Sequence, residues 1–338
     1  MAFVNGTEHF VTCLAKRRGS VDRAGENDII LVRGKQHTGS RTPGEMECTA
    51  MDKKRKTVIV TDSSCDLSDG QLSRYGIRMI SLRVVCQNAE YRDRIDIQED
   101  ELYDLLTREL PKTSLPLPED VTQLYETLAE EGVENVIHIS ISSGLSGTYN
   151  MVRMITEDFQ DRMHIFMVDS KTLSTGLGMM VLAAAQALEA GATPEEAIEK
   201  AQSVRKTQLG MFVIRTLEFL RKGGRIGLVE GVVGSLLQIK PVIYVNDDGV
   251  YQTLAKARGY KGAVDTMVQE VKRFFGDAKI NLSVVNGKAH EDAEKLMERL
   301  QGEFNVAPGA FISPVSPVLA IHTGPGLLGI VANKADPA

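Results

Sequence analysis

Cysteine is scarce in this chain. Four thiols stand in 338 residues, Cys13, Cys48, Cys65 and Cys86, with no CxxC pair and no metal-finger spacing. So few unpatterned thiols argue against a disulfide framework or a structural zinc site and suit a reducing, cytoplasmic compartment. Long apolar runs are missing as well. No stretch approaches the ~18 apolar residues of a spanning helix, and the first 30 residues lack the uninterrupted apolar core of a signal peptide. The sequons at Asn5 and Asn281 are accordingly read as chance. There is no basic excess either: 39 Lys and Arg face 45 Asp and Glu, for a net charge of −6. A general nucleic-acid binder would need a basic face. The six histidines are scattered with no HExxH, and no GxSxG elbow exists. Ser203 and Lys206 complete an SxxK match only within a surface-like helix.

What is present is a globular composition, 43% hydrophobic and 25% charged, long enough for two cores of ordinary size. Residues 1–50 stand apart. They mix seven Lys/Arg with six Asp/Glu without a sustained period, and only Ile29-Ile30-Leu31-Val32 is strand-like. A transit peptide would be poorer in acids. The expectation for residues 1–55 is a disordered extension, or an upstream in-frame stretch not normally translated. A small accessory module is the alternative. The folded protein then begins near Met51, with an N-terminal α/β domain over 56–207 and a C-terminal one over 208–335.

From Thr57 the text becomes orderly. Val58 to Asp62, Val136 to Ile141 and His164 to Asp169 are continuous apolar runs ending in polar residues, separated by helical stretches at 98–109, 119–131 and 146–158. Buried strands alternating with amphipathic helices predict a parallel sheet covered on both faces. Gly178 to Ala190 is apolar on nearly every side and reads as a buried helix. Gly191 stops it, and Thr193-Pro194-Glu195-Glu196 opens the next helix with a cap, a first-turn proline and a box glutamate. Beyond about 208 the strands shorten, near 210–214, 240–245 and 250–256, with Asn246-Asp247-Asp248-Gly249 as a hairpin turn. Helices near 259–273 and 291–301 cover them, which reads as a mixed sheet.

Polar loops at the predicted strand ends are the candidate site, since ligands bind at that edge of open α/β sheets. They are Asp62-Ser63-Ser64, Ser142 to Thr148 and Asp169-Ser170, joined by Thr113-Ser114 and by His322-Thr323-Gly324-Pro325-Gly326. Hydroxyls and free helix N-terminal amides are good donors to an oxyanion; each Ser or Thr alone reads equally as a helix cap. Gly144-Leu145-Ser146-Gly147-Thr148 lacks the lysine of a P-loop. Gly324 to Gly329 matches GxGxxG, but the chain has no room after it for the helix, strand and acid of a dinucleotide site. His138, inside a strand, and His290, at a helix start, read as structural. His322, between a strand and a glycine-rich turn, is a ligand candidate. Arg221-Lys222-Gly223-Gly224-Arg225 ends a short helix, where cations are favoured, and with Lys256 and Arg258 could form a positive rim.

In this order the loops resemble the DegV family of bacterial fatty-acid-binding proteins. The match runs through Val60-Thr61-Asp62-Ser63-Ser64, Thr113-Ser114-x-Pro116, Leu145-Ser146-Gly147-Thr148 and Val168-Asp169-Ser170. It continues through Lys222-Gly223-Gly224-Arg225, Ile239-Lys240-Pro241 and Lys256-x-Arg258, and closes on His322-Thr323-Gly324-Pro325-Gly326. The resemblance implies a two-domain α/β fold, a parallel sheet plus a mixed sheet, with lipid between them. It implies a carboxylate held by Thr113 and Ser146, with Ser114, Gly147, Thr148, His322, Thr323 and Arg225 nearby. It implies no catalytic residue, metal or cofactor. The partner it implies is an ATP-dependent fatty-acid kinase that makes an acyl phosphate and docks at Arg225, Lys256 and Arg258. Two departures stand out: Leu115 and Leu117 replace the usual Gln and Ser, and loss of a serine cap before Pro118 costs roughly 1 kcal/mol. A self-sufficient acyl hydrolase using Ser146 and His322, or a lipid-sensing regulator, remain alternatives.

Overall fold

The computed structural model describes residues 56–229 and 238–335, together with the backbone of 30–32. In chain order the first half contains β1 (Ile30–Val32), β2 (Thr57–Asp62), α1 (Asp69–Arg74), β3 (Arg78–Ile80), β4 (Arg83–Val85) and β5 (Glu90–Arg92). There follow α2 (Glu99–Leu106), β6 (Lys112–Ser114), α3 (Pro118–Glu130), β7 (Asn135–Ser140), α4 (Thr148–Thr156), β8 (His164–Asp169), α5 (Thr175–Glu189) and α6 (Pro194–Lys206). The second half contains β9 (Leu209–Val213), α7 (Glu218–Lys222), β10 (Ile239–Val245), β11 (Tyr251–Arg258) and α8 (Gly259–Phe275). It ends with β12 (Ile280–Gly287), α9 (His290–Glu303), β13 (Phe311–Pro314), α10 (Pro317–Thr323) and β14 (Leu327–Lys334).

The first sheet has the order β1-β8-β7-β2-β3. β8, β7, β2 and β3 are parallel, as the continuous apolar runs predict. Side chains alternate faces along a strand, and both faces are dry. Val60, Val136, Ile165 and Met167 pack on Tyr125, Leu128 and Val152 of α3 and α4. Ile59, Ile137, Ile139, Phe166 and Val168 pack on α5 and α6. The α6 capping box is present, with Thr193 Oγ1 accepting the Glu196 N–H at 3.2 Å and Glu196 Oε2 accepting the Thr193 N–H at 2.8 Å. Leu117 before α3 makes no side-chain cap, as its apolar side chain dictates.

One expectation needs correcting. Ile30–Val32, assigned to a disordered extension, pairs antiparallel with Ile165–Met167 of β8 and forms the sheet edge. A β-branched apolar run fits a pleated edge that would otherwise be open. Residues 1–29 and 33–55 lie outside the described residues.

The second sheet has the order β11-β10-β9-β14-β12-β13 and is mixed: β12–β13 is parallel and every other pair antiparallel. Its outer face carries Met211, Val242, Val284 and Ile330 against α8 and α9. Its inner face carries Phe212, Ile243, Val285, Leu327 and Val331, which merge with the α5 side of the first sheet into one core. The chain passes between sheets at residues 206–209, where we propose the domain division at 207/208. A third, antiparallel sheet of order β5-β4-β6 holds Thr113 opposite Val84. Its three-residue strands carry too little pattern to be seen in sequence.

Candidate functional site

Among the described residues, two adjoining cavities lie in the core between the sheets. The larger, about 210 Å³, is walled by Thr113, Ser114, Ser146, Arg225, Tyr251 and His322, together with Leu82, Leu115, Leu145 and other apolar side chains. The smaller, about 50 Å³, is almost wholly apolar, with Phe212, Val245, Val285, Leu327 and Val331 around the backbone of Gly210 and Gly329. Leu173, Tyr251 and Leu319 are walls of both. A polar chamber thus adjoins a greasy one.

His322 differs from its expected place. It sits in the last turn of α10 rather than beside a strand, and Gly324, at φ 67°, ends that helix. Its Nε2 lies 3.0 Å from Thr113 Oγ1, joining residues 209 positions apart. Its Nδ1 has no hydrogen-bond partner among the described residues, and that ring edge rests on Gly223: a Cβ there would fall 2.1 Å from Nδ1. Burial, and secondarily the Arg225 charge, push the imidazole down to about 4, so it is neutral at ordinary pH.

Arg225 is half-buried in the chamber wall. Its Nη1 donates to the Gly223 carbonyl at 2.7 Å and its Nε to the Leu145 carbonyl at 3.4 Å. Among the described residues it has no carboxylate partner. A cation on a cavity wall, bonded only to carbonyls, leaves a field that suits an anion.

In the loop whose Leu145 carbonyl takes the Arg225 Nε–H, Ser146 Oγ accepts the Thr148 N–H at 3.3 Å and lies 2.8 Å from Thr148 Oγ1. Thr148 itself is fully buried, while Gly147, the residue before α4, is exposed. Thr323 faces the apolar cavity, its hydroxyl bonded to the Leu319 carbonyl at 3.2 Å. Lys256 and Arg258 do not reach the chamber. They stand exposed two residues apart on the edge strand β11.

The other polar loops support the site without lining it. Asp62 accepts from Ser64 Oγ, Ser140 Oγ and the Ile141 N–H at 2.5, 3.0 and 2.7 Å. Burial nevertheless holds its carboxyl above the usual range. Asp169 takes the Ser143 N–H at 3.1 Å and pairs with Lys171 at 2.9 Å. Ser142 donates to the Gly249 carbonyl at 2.7 Å, fastening the β10–β11 hairpin to the β7 loop. Sequence reasoning missed Leu173, Tyr251 and Leu319, the walls common to both cavities. Nothing local distinguishes them from other core residues. Among the described residues no group of three or more His, Cys, Asp or Glu could hold a metal ion, and no helix is long and apolar enough to cross a membrane.

The two-sheet α/β core thus holds a polar chamber with an apolar one beside it. Residues 56–335 match the family model described as uncharacterised protein, DegV family, and the chain belongs to that family. A DegV domain-containing protein of Clostridium acetobutylicum is 37% identical over 279 residues, covering 82% of this chain and 99% of that one. Among solved structures, a DegV family protein from Thermus thermophilus, described for its fatty-acid binding, has a TM-score of 0.77 at 31% identity. It covers 83% of this chain and is itself covered in full. DegV from Bacillus subtilis, described as a fatty acid binding protein, has a TM-score of 0.76 at 27% identity, with coverage of 83% and 100%.

Proposed function

We propose that this chain binds a long-chain fatty acid, with the carboxylate in the polar chamber and the tail in the apolar one. It would present that carboxylate to a separate ATP-dependent fatty-acid kinase for acyl-phosphate formation in the cytoplasm. The observation that carries the reading is the chamber chemistry: an Arg225 with no carboxylate partner among the described residues, beside the neutral His322–Thr113 pair, in a chamber that shares walls with an apolar cavity. A neutral imidazole has one N–H. With the proton on Nε2, His322 donates to Thr113 and leaves the Thr113 hydroxyl proton for the carboxylate. The lone pair on Nδ1 then faces Gly223, a better fit than a buried donor with no acceptor. Ser146 supplies the second hydroxyl. Thr148, through its hydroxyl, and Gly147, Ser114 and Thr323, as neighbours, would shape the same pocket.

A tail of about 14 methylenes contributes on the order of 10 kcal/mol at ~0.8 kcal/mol each, before the costs of association. It is larger than the 50 Å³ apolar cavity, so binding widens that cavity by rotamer changes in its Leu, Val and Phe walls. Hydroxyl donors orient the carboxylate without neutralising it. That leaves an oxygen nucleophilic towards a phosphoryl donor, which the kinase would supply. The hydrolase alternative lacks its pair, because Ser146 is bonded to Thr148 and His322 to Thr113.

Mass spectrometry of lipid extracted from the denatured protein tests the reading, with intact fatty acids expected. Thr113→Ala and Ser146→Ala should each weaken binding 10- to 150-fold, since a hydrogen bond to a charged group is worth about 1.5–3 kcal/mol. Full lipid occupancy in the double variant would reject the assignment.

A further inference from the structure

We infer that Asp66 and Asp93 are positioning residues for the fatty-acid site: reaching over from the turn after β2 and from the β5–α2 loop, they take the place of the N-cap of α10 and so set the position of His322. The inference rests on the fatty-acid reading of the cavity. The accounting of α10 backbone donors leads to it. Ser316, the cap residue, makes no side-chain capping bond, and Pro317 has no N–H. The two N–H groups left over are accepted by carboxylates about 225–250 residues upstream in the chain: Ser316 N–H by Asp66 Oδ1 at 2.9 Å, and Val318 N–H by Asp93 Oδ1 at 3.1 Å. The same short helix then places Val318, Leu319 and His322 on the polar chamber and Leu319 and Thr323 on the apolar one. Helix N-termini favour negative charge, which suits a carboxylate clasp.

Asp66 reaches the second cavity as well. Its Oδ2 accepts from Ser174 Oγ at 2.5 Å, and Ser174 lines the apolar cavity. Ser174 holds φ 56°, ψ −147°, a region nearly reserved for glycine; Asp66 holds φ 50°. Two rarely populated backbones joined by one hydrogen bond are an over-determined joint. One carboxylate therefore ties a wall of the tail cavity to the helix that carries His322.

The clasp is poised to titrate. Burial pushes Asp93 up to about 7, with the Asp66 charge adding to the effect, and burial pushes Asp66 up to about 6. Arg94 opposes both from the β5–α2 loop, but its guanidinium is spent on the Leu67 carbonyl and Asp69. Cys65 lies on the same turn as Asp66 with its thiol pushed up to about 12 by burial, so it stays neutral. The first turns of α5 and α10 carry no charge. α2, packed on α10, turns Glu99 to the Lys288 N–H and Glu101 to the Gln98 N–H.

The test uses the full chain labelled with 15N-histidine and freed of lipid, with the His322 signals assigned by difference against His322→Gln. His322 itself stays neutral above about 4, so its signals report the clasp. They should move between pH 6 and 8 in the wild type, whereas in Asp93→Asn, which keeps an oxygen for the Val318 N–H, the movement above pH 7 should vanish and only the Asp66 part, centred near 6, should remain. Palmitate should dissociate at least tenfold faster from Asp93→Ala and close to the wild-type rate from Asp93→Asn at pH 8. If Asp93→Ala does not fold, Ser174→Gly, which relieves the backbone while deleting the bond to Asp66, should dissociate palmitate faster without a lower melting temperature. His322 signals that are flat in the wild type, or that move equally in Asp93→Asn, overturn the clasp. Because those signals are read without lipid, that failure is separate from failure of the Thr113 and Ser146 test.

Discussion

Gly223→Ala should disable the head-group chamber while leaving the fold intact. Gly223 has φ −77° and ψ −6°, helical values that alanine adopts freely, and alanine there gains up to about 1 kcal/mol of helix propensity. The added Cβ, however, would stand 2.1 Å from His322 Nδ1 and 2.8 Å from Cε1, where real Cβ contacts stay above 3.0 Å. The ring must move by about 1 Å, because the carbonyl of Phe219, 3.1 Å from that Cβ, blocks the other way out. A shift of that size stretches the 3.0 Å bond to Thr113 beyond useful length. The Thr113 hydroxyl then loses its orientation towards the carboxylate, at about 1.5–3 kcal/mol, or 10- to 150-fold in affinity. Competition of palmitate with a fluorescent fatty acid would measure it, beside thermal unfolding. Gly224→Ala is the control. Gly224 has φ +71° with nothing within 4 Å of a Cβ, so alanine there costs about 1–2 kcal/mol of stability and leaves affinity unchanged. Wild-type affinity in Gly223→Ala, or equal losses in the two variants, would refute the packing argument.

His138 is fully buried, its Nδ1 2.9 Å from the Tyr125 hydroxyl, and burial pushes it down to about 3. Its depressed pKa means the unfolded chain takes up the proton first, so stability falls as pH drops below about 6.5. His138→Gln should therefore gain on the wild type by up to ~1.4 kcal/mol per pH unit between 6.5 and 4, and parallel urea midpoints across that range would contradict this. Arg258→Glu should block phosphorylation of the bound acid by the kinase while lipid content stays full. A wild-type rate from 50 to 300 mM salt would remove the docking role. Deleting residues 1–55 should leave lipid content unchanged but reopen the β8 edge, seen as concentration-dependent association in sedimentation; a monodisperse truncated chain would count against the β1 pairing.

The parallel strands were legible because β2, β7 and β8 are buried on both faces and so read as unbroken apolar runs. The α6 capping box and the Asn246–Gly249 hairpin were legible because their chemistry is local: Asn246 Oδ1 takes the Val250 N–H at 3.0 Å, and Gly249 supplies φ +77°. The ordered motifs around Thr113, Ser146, Gly223 and His322 carried the family.

What stayed hidden depends on partners far along the chain. β6 is only three residues long, and its pairing with β4 supplies a stability that no local period announces. α10 reads in sequence as an apolar stretch beside a glycine turn, because the groups that cap it, Asp66 and Asp93, lie about 225–250 residues upstream. The need for glycine at 223 is visible only once the His322 ring rests on it. Residue types and local periodicity thus determined which segments could be strands, helices and donors. Only tertiary packing decided which donors face one chamber, since bringing Thr113 to His322 requires both sheets to close on a common apolar core, and that closure is the sum of many non-directional contacts.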